Sequence, residues 1–170
     1  PEPMSKEEAW RRLTAAVGGW QFNSNTTIQS GLPFNVGFDT SGISDTGPNR
    51  PDIVRDAKIS DGGRDRWFDP TVFAKPAVGT FGNLERNSLN GPWYWRTDAS
   101  LFKKFRFTES QELEFRAEVV NLFNHVNLGQ PDTFIGDPAN PNPNAGRITS
   151  TAFGGVDPQR AFQFALKYKF

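Results

Sequence analysis

The chain has 170 residues, a length that fits one domain or one part of a larger protein. Hydrophobic residues make up only 36% of it, and no run approaches the roughly 20 apolar residues that a membrane-spanning helix needs. The formal net charge is zero and cysteine is absent. These features argue against nucleic-acid binding and exclude disulfides and thiolate metal sites.

The first segment, residues 1–17, is compatible with two structures. Ser5 and Glu8 have the spacing of a capping box, which predicts a short helix that Gly18 and Gly19 would end. The same segment could instead be the remnant of a preceding strand or turn. Because the chain opens on Pro1, we expect it to be a piece of a longer protein that ends at Phe170.

Four segments alternate between apolar and polar residues, which is the pattern of a strand with one apolar face. They span Trp20–Gln29, Thr97–Phe107, Glu112–Asn124 and the closing segment from about Arg160 to Phe170. In the closing segment the apolar face carries mostly aromatic side chains. A lipid-facing barrel strand has this pattern, because one face meets hydrocarbon and the other a watery lumen. We predict that the lipid-facing residues are Phe162, Phe164, Leu166, Tyr168 and Phe170.

The second and third strands are joined by a tight connection at 108–111 and predict a hairpin. The apolar residues of both strands have odd numbers, so the numbers of two paired residues must add up to an even number. Pairing Arg106 with Glu112 and Lys104 with Glu114 meets this condition and sets opposite charges across from each other. We prefer this register to its rival, which pairs Arg106 with Glu114, because it makes two ion pairs. The charged face predicts a salt-linked lumen wall made of Lys104, Arg106, Glu112, Glu114, Arg116 and Glu118.

Two long segments, 39–92 and 125–158, are rich in turn-forming residues and predict loops. The first contains small apolar anchors, which indicate that the loop folds onto itself: Trp67, Phe68, Val72, Phe73 and Phe81. Long loops on one end and a short turn on the other are typical of an outer-membrane barrel. The predicted fold is therefore all-β, an antiparallel up-and-down meander of about four main strands forming part of a transmembrane β-barrel with two outer loops.

The residues predict no catalytic, cofactor or metal site, and we expect no enzyme activity. His125 is the single histidine, so a structural role is favoured. The aromatic run Trp93, Tyr94 and Trp95 has two interpretations: it stacks on a sugar-like ligand, or it belongs to the outer aromatic belt. The periplasmic belt would then consist of Trp20, Phe105, Phe107, Tyr168 and Phe170.

Seven motifs, taken in order, resemble the C-terminal end of TonB-dependent outer-membrane receptors, most closely the Oar-like branch with a carboxypeptidase-regulatory-like domain. The resemblance covers about Val17 to Phe170. Val126 departs from it where the family often has proline, and the aromatic run 93–95 is richer than usual. The motifs are GGWQ (18–21), SGLPF (30–34), NRPD (49–52), WFDPTVF (67–73), GTFGNLERNSLNGP (79–92), FRAEVVNLFNHVN (115–127) and the terminal KYKF.

The resemblance implies a barrel of about 22 strands, plugged by an N-terminal domain and energised through TonB, in the bacterial outer membrane. This chain would supply part of the wall and the outer loops for nutrient uptake. Its partners would be outer-membrane lipid, the remaining barrel and plug, TonB through the N-terminal part, and the barrel-assembly machinery through Phe170. The alternatives are a soluble all-β module that binds carbohydrate or another ligand, with Phe162, Phe164 and Leu166 covered within the monomer, and a passive porin.

Overall fold

A computed structural model describes residues 4–41, 50–155 and 159–170. Residues 1–3, 42–49 and 156–158 are outside these ranges, and with them the corresponding parts of the predicted N-terminal segment and outer loops and the first residue of the NRPD motif. The chain forms two compact units. The sheet unit consists of the described parts of Pro1–Thr27, Arg96–His125 and Pro158–Phe170, and the loop unit of those of Ile28–Trp95 and Val126–Asp157.

The elements follow in chain order. The helices are α1 (Lys6–Val17) and the short α2 (Ala152–Gly155), with a 3-10 helix at Pro70–Val72; neither α1 nor α2 is both long and apolar enough to cross a membrane. The strands are β1 (Trp20–Gln29), β2 (Pro33–Phe34), β3 (Asp52–Ile53), β4 (Phe73–Ala74), β5 (Leu89–Asn90), β6 (Tyr94–Arg106), β7 (Glu112–Val120), β8 (Gly136–Asp137), β9 (Asn140–Pro141) and β10 (Ala161–Lys169).

Helix α1 begins as the capping residues predict. The Ser5 hydroxyl accepts a hydrogen bond from the Glu8 backbone N–H at 3.2 Å, which satisfies one of the unpaired donors of the first turn. Glu8 also pairs with Arg12 at 2.9 Å, one turn further along. Residues 6–17 of this segment are thus helical.

Two glycines make the turn from α1 into β1. Gly18 donates to the Thr14 carbonyl at 2.8 Å and lies so close that an added Cβ would meet that oxygen at 2.7 Å. Gly19 has φ of +73°, a conformation that side chains with a Cβ rarely adopt. Both positions therefore require glycine, which gives the GGWQ motif a structural reason.

Within the sheet unit, the described residues form a four-stranded sheet in the order β1-β6-β7-β10. Strands β6 and β7 pair antiparallel with Arg106 opposite Glu112 and Lys104 opposite Glu114, so the preferred register is confirmed. Strand β10 pairs antiparallel with β7, Phe164 lying opposite Ala117. The bonds from Lys104 N–H to the Gly19 carbonyl and between the Thr26 and Thr97 hydroxyls show that β1 runs antiparallel to β6.

The connections confirm the predicted meander. The turn between β6 and β7 spans five residues, 107–111, closed by a bond from the Phe107 N–H to the Gln111 carbonyl at 3.0 Å. The long connections 30–93 and 121–160 both leave the sheet at the opposite end. No closed barrel forms among the described residues, and β1 and β10 each have one unpaired edge in that sheet.

Strand β7 ends earlier than predicted, at Val120 and not at Asn124. Asn121 and Asn124 both have φ of +52°, the left-handed conformation that asparagine tolerates better than most residues. The buried Asn121 side chain bonds the backbone carbonyl and N–H of His125 at 2.9 and 3.0 Å. The motif that follows β7 therefore encodes a hydrogen-bonded turn.

The loop unit has a hydrophobic core of its own. Buried residues from both sides of the 42–49 gap pack around Phe68, whose ring lies 5.7 Å from that of Phe34 and 5.9 Å from that of Phe73. The core consists of Phe34, Val36, Ala57, Phe68, Val72, Leu84 and Leu89, with Trp67 and Phe73 packed against it. Four of the five predicted anchors are thus correct, and the fifth is wrong because Phe81 is 74% exposed.

Candidate functional site

The charged face of the sheet brings all six predicted lumen residues together. Arg106 approaches Glu112 at 3.3 Å, and Lys104 lies 3.6 Å from Glu114 and 3.7 Å from Glu112. Arg116 extends the chain of ion pairs, at 3.0 Å from Glu114 and 3.9 Å from Glu118. The guanidinium of Arg116 also lies 4.7 Å from the centre of the Phe102 ring on the same face.

Glu112 is the carboxylate on which three strands converge. Besides Lys104 and Arg106 of β6, it meets Lys169 of β10 at 3.8 Å, a residue that the prediction left out. Its side chain is 16% exposed, and its buried Oε1 accepts no hydrogen bond among the described residues. Two ammonium groups flank that oxygen at 3.7 and 3.8 Å, so the negative charge is balanced by cations.

The opposite face of the sheet is mainly apolar on β6, β7 and β10. The registers place Phe162 opposite Val119 and Phe105 opposite Leu113, so the apolar sets that alternation predicted lie on one side. The side chains predicted to face lipid are exposed on the described chain: Phe162 62%, Phe164 67%, Leu166 71%, Tyr168 50% and Phe170 95%. The soluble alternative required Phe162, Phe164 and Leu166 to be covered within the monomer, which they are not. Their contact with lipid stays a prediction.

Lys103 interrupts this apolar face, and the structure gives the reason. Its side chain is only 2% exposed, and its ammonium group donates to the carbonyls of Ala16, at 3.1 Å, and Gly18. The ammonium also lies 5.0 Å from the Trp20 ring centre and 5.4 Å from that of Phe105. A lysine on the apolar side is thus satisfied by the C-terminal end of α1.

The aromatic run at 93–95 does not form one surface. Trp93 is 68% exposed, whereas Tyr94 is 9% exposed and packs edge-to-face against Phe153 at 5.2 Å. Trp95 is half-buried, and its backbone N–H donates to the Asn127 side chain at 2.9 Å. Of the three candidate ligand contacts, Trp93 has the most accessible ring; neither ligand stacking nor a belt role is tested.

A cleft in the loop unit contains residues that sequence reasoning missed. It has a volume of about 210 Å³ and is lined by the rings of Phe38 and Phe73 and by several prolines. An ion pair between Lys75 and Asp137, at 2.8 Å, supplies its charges, and Lys75 also donates to the Ser41 carbonyl at 2.8 Å. The hydrogen bond from Lys75 lowers the pKa of Asp137 from its ordinary 3.8. No spacing pattern predicts this pair, because its members are 62 residues apart.

Asp69, in the WFDPTVF motif, holds the loop unit together by polar contacts. It caps the 3-10 helix by accepting from the Thr71 N–H at 3.0 Å and hydroxyl at 2.7 Å. Arg66 approaches it at 2.6 Å and Arg55 at 3.5 Å. Burial raises the pKa of Asp69, but the bonds from Thr71 and Arg66 outweigh it, so that the pKa is lower than 3.8.

This lowered pKa makes the loop unit sensitive to acid. Asp69 stabilises the folded loops fully above the unfolded pKa of 3.8, and that contribution is lost as the pH falls through the lower folded value. We expect Asp69→Asn to cost about 1 kcal/mol at neutral pH and to flatten the pH dependence below 4. Pepsin cleavage within 50–92, measured on the full-length protein in micelles from pH 4 to pH 2, checks this. Asp65→Asn is the control, since Asp65 is 92% exposed; equal pH profiles for the two variants would contradict the role of Asp69.

His125 contributes through its backbone to the turn that Asn121 organises. Among residues 4–41, 50–155 and 159–170, no three histidine or carboxylate side chains are grouped in a way that could hold a metal ion.

A comparison with protein families matches residues 3–163 to the outer membrane beta barrel domain. Comparisons with curated proteins and with solved structures gave no match. The match covers nearly the whole chain, and it agrees with an antiparallel meander that has one apolar and one charged face. The chain therefore belongs to the outer membrane beta barrel domain family and is located in the bacterial outer membrane.

Proposed function

We propose that this chain is part of the wall and outer loops of a TonB-dependent transporter, of the Oar-like branch, that takes up nutrients and catalyses no reaction. The observation that carries the proposal is the charged face of the sheet, on which six side chains of β6 and β7 are linked by ion pairs. Such a face suits the wall of a water-filled lumen, while the apolar face opposite it suits contact with lipid. The ordered motifs of the receptor family support the finer assignment.

The unpaired edges of β1 and β10 support a role as one part of a larger barrel. Four strands cannot close, since known barrels have at least eight, and an exposed strand edge recruits another strand. In the proposed transporter, the remaining strands and the plug complete the wall and fill the lumen. TonB would act through the N-terminal part, and Phe170 would be read by the barrel-assembly machinery.

The loop unit would form the ligand-facing part of the transporter. Its described residues pack around a hydrophobic core, and its cleft of about 210 Å³ combines apolar rings with the Lys75–Asp137 pair. The cleft is smaller than the sites that hold drug-sized ligands, so it suits only a small molecule with an apolar body and one or two hydrogen-bonding groups. The cleft supports entry of such a ligand better than the aromatic run 93–95, where Tyr94 is buried.

The full-length protein in planar bilayers tests this function. A plugged transporter is expected to show no steady conductance until its plug is removed, and to bind the purified periplasmic domain of TonB. A steady open conductance without TonB binding would instead identify a passive porin. The coding sequence upstream of Pro1 gives an independent check, because a TonB-dependent transporter requires a plug domain there.

A further inference from the structure

Helix α1 presents an apolar stripe that no described residue of the sheet unit covers. Trp10, Leu13 and Val17 recur at helical spacing and are 70%, 54% and 74% exposed. The ion pair between Glu8 and Arg12 lies on the other side of the helix. A twelve-residue helix with this division between its faces is of the type that lies in a membrane interface.

The position of α1 on the sheet decides which surface the stripe can meet. Lys103 lies on the apolar side of β6, and its ammonium bonds the carbonyls of Ala16 and Gly18 at the end of α1. Trp20, the first residue of β1, donates its ring N–H to the same Ala16 carbonyl at 3.0 Å. The C-terminal end of α1 is therefore fixed on the apolar side of the sheet.

The ends of the strands give the position of α1 along the membrane normal. The backbone bond between Lys104 and Gly19 places the end of α1 at the sheet end that carries the short turn 107–111. In outer-membrane barrels the short turns face the periplasm. The rings that surround this point, Trp20, Phe105 and Phe107, are 47%, 40% and 62% exposed, and such rings favour the boundary between headgroups and hydrocarbon.

We propose that α1 is an interfacial helix that lies on the periplasmic leaflet of the outer membrane, with Trp10, Leu13 and Val17 inserted among the phospholipids. The stripe continues the apolar surface of a barrel that is located in this membrane. Lys103 acts as the clamp, since its ammonium group, on the side of the sheet that faces lipid, donates to the carbonyls at the end of the helix. The occupant of the stripe is thus lipid and not a protein partner.

Single-cysteine labelling of the full-length protein in phosphatidylethanolamine–phosphatidylglycerol liposomes tests the proposal. These 170 residues contain no cysteine, so NBD can be attached at Leu13→Cys and, as a matched control, at Arg12→Cys on the adjacent residue about 100° around the helix. We expect the label at 13 to shift to the blue and to lose fluorescence when nitroxide-labelled phospholipid is included. The label at 12 should show neither change, and the heat-dependent gel shift checks that each variant is folded.

Three results would overturn the proposal. An unshifted label at position 13 would mean that α1 lies in water, and a blue-shifted label that lipid nitroxides do not quench would mean that protein covers the stripe. The third concerns the clamp: Lys103→Met keeps the length of the side chain and removes its donors, so quenching at position 13 should decrease. Unchanged quenching in a folded Lys103→Met protein would contradict the role of Lys103.

Discussion

Replacing Phe68 by alanine is expected to lower the free energy of opening the loop unit by about 3–5 kcal/mol. Phe68 is 1% exposed at the centre of the core and contacts the rings of Phe34 and Phe73. The neighbouring backbone closes around it, because the Trp67 N–H bonds the Gly146 carbonyl at 2.7 Å. An added Cβ on Gly146 would lie 2.9 Å from the Phe68 carbonyl, so this surrounding shell has little freedom to collapse into the cavity.

Hydrogen exchange of the full-length protein in micelles measures the effect. The amides of Trp67 and Asp69, which bond Gly146 and Ala57, report opening of the core. Their exchange should accelerate by roughly two to four orders of magnitude in Phe68→Ala, while amides of β6 and β7 keep their protection. The change would then be confined to the loop unit.

Phe81→Ala is the matched control, because it removes the same side chain from a position that is 74% exposed. It should change exchange at Trp67 and Asp69 by less than a factor of about three, as most exposed substitutions do. If both variants accelerated exchange equally, the core would not depend on Phe68. Uniform acceleration in β6 and β7 as well would show that the loops and the sheet open together.

The sheet could be predicted from sequence because the alternation and the charges within each strand define its faces and its pairing. Alternation assigns every side chain of β6 and β7 to a face, and parity then restricts the hairpin to registers such as Arg106 opposite Glu112. The positions of the charged residues then distinguished between the two registers that remained. Strand ends were less accurate, since Asn121 leaves the strand through a left-handed backbone that alternation does not encode.

The loop unit could be predicted only in part, because its core has no periodicity. Leu84 bonds the Pro51 carbonyl through its N–H, and Ile148 bonds that of Arg64, so residues far apart in sequence define the fold. The prediction for Phe81 was wrong. An aromatic residue in a polar segment was interpreted as an anchor, but here it lies on the surface. The Lys75–Asp137 pair was not predicted either, because its two residues lie 62 positions apart in the sequence.

Lys103 and Tyr94 show how neighbouring elements change the meaning of a pattern. Alternation alone makes Lys103 an intruder on an apolar face, and its bonds to the carbonyls at the end of α1 explain its position. Tyr94 belongs to an aromatic run that suggests a binding surface, yet Phe153 from the other long connection packs on it. Both side chains are positioned by contacts with segments that are remote in sequence, and a pattern within one strand does not reveal such contacts.

Reversing the charge at Glu112 is expected to destabilise the sheet more than any other single change on its charged face. In Glu112→Lys, the new ammonium would face Lys104, Arg106 and Lys169, which now lie 3.3–3.8 Å from the carboxylate. The partners are 43%, 78% and 56% exposed, so water screens each pair, but the buried Oε1 position offers the new charge little water. We expect a loss of about 2–3 kcal/mol in the free energy of unfolding.

Urea unfolding of the full-length protein, refolded in detergent micelles and followed by the heat-dependent gel shift, measures this loss. Glu118→Lys is the matched control: Glu118 lies on the same strand face but is 37% exposed and meets one cation at 3.9 Å. It should cost less than about 1 kcal/mol. Adding Lys169→Glu to Glu112→Lys restores one opposite-charge pair across β7 and β10 and should recover part of the loss, as coupled neighbours do. Equal losses for the two lysine variants, or no recovery in the double variant, would mean that Glu112 does not join the three strands electrostatically.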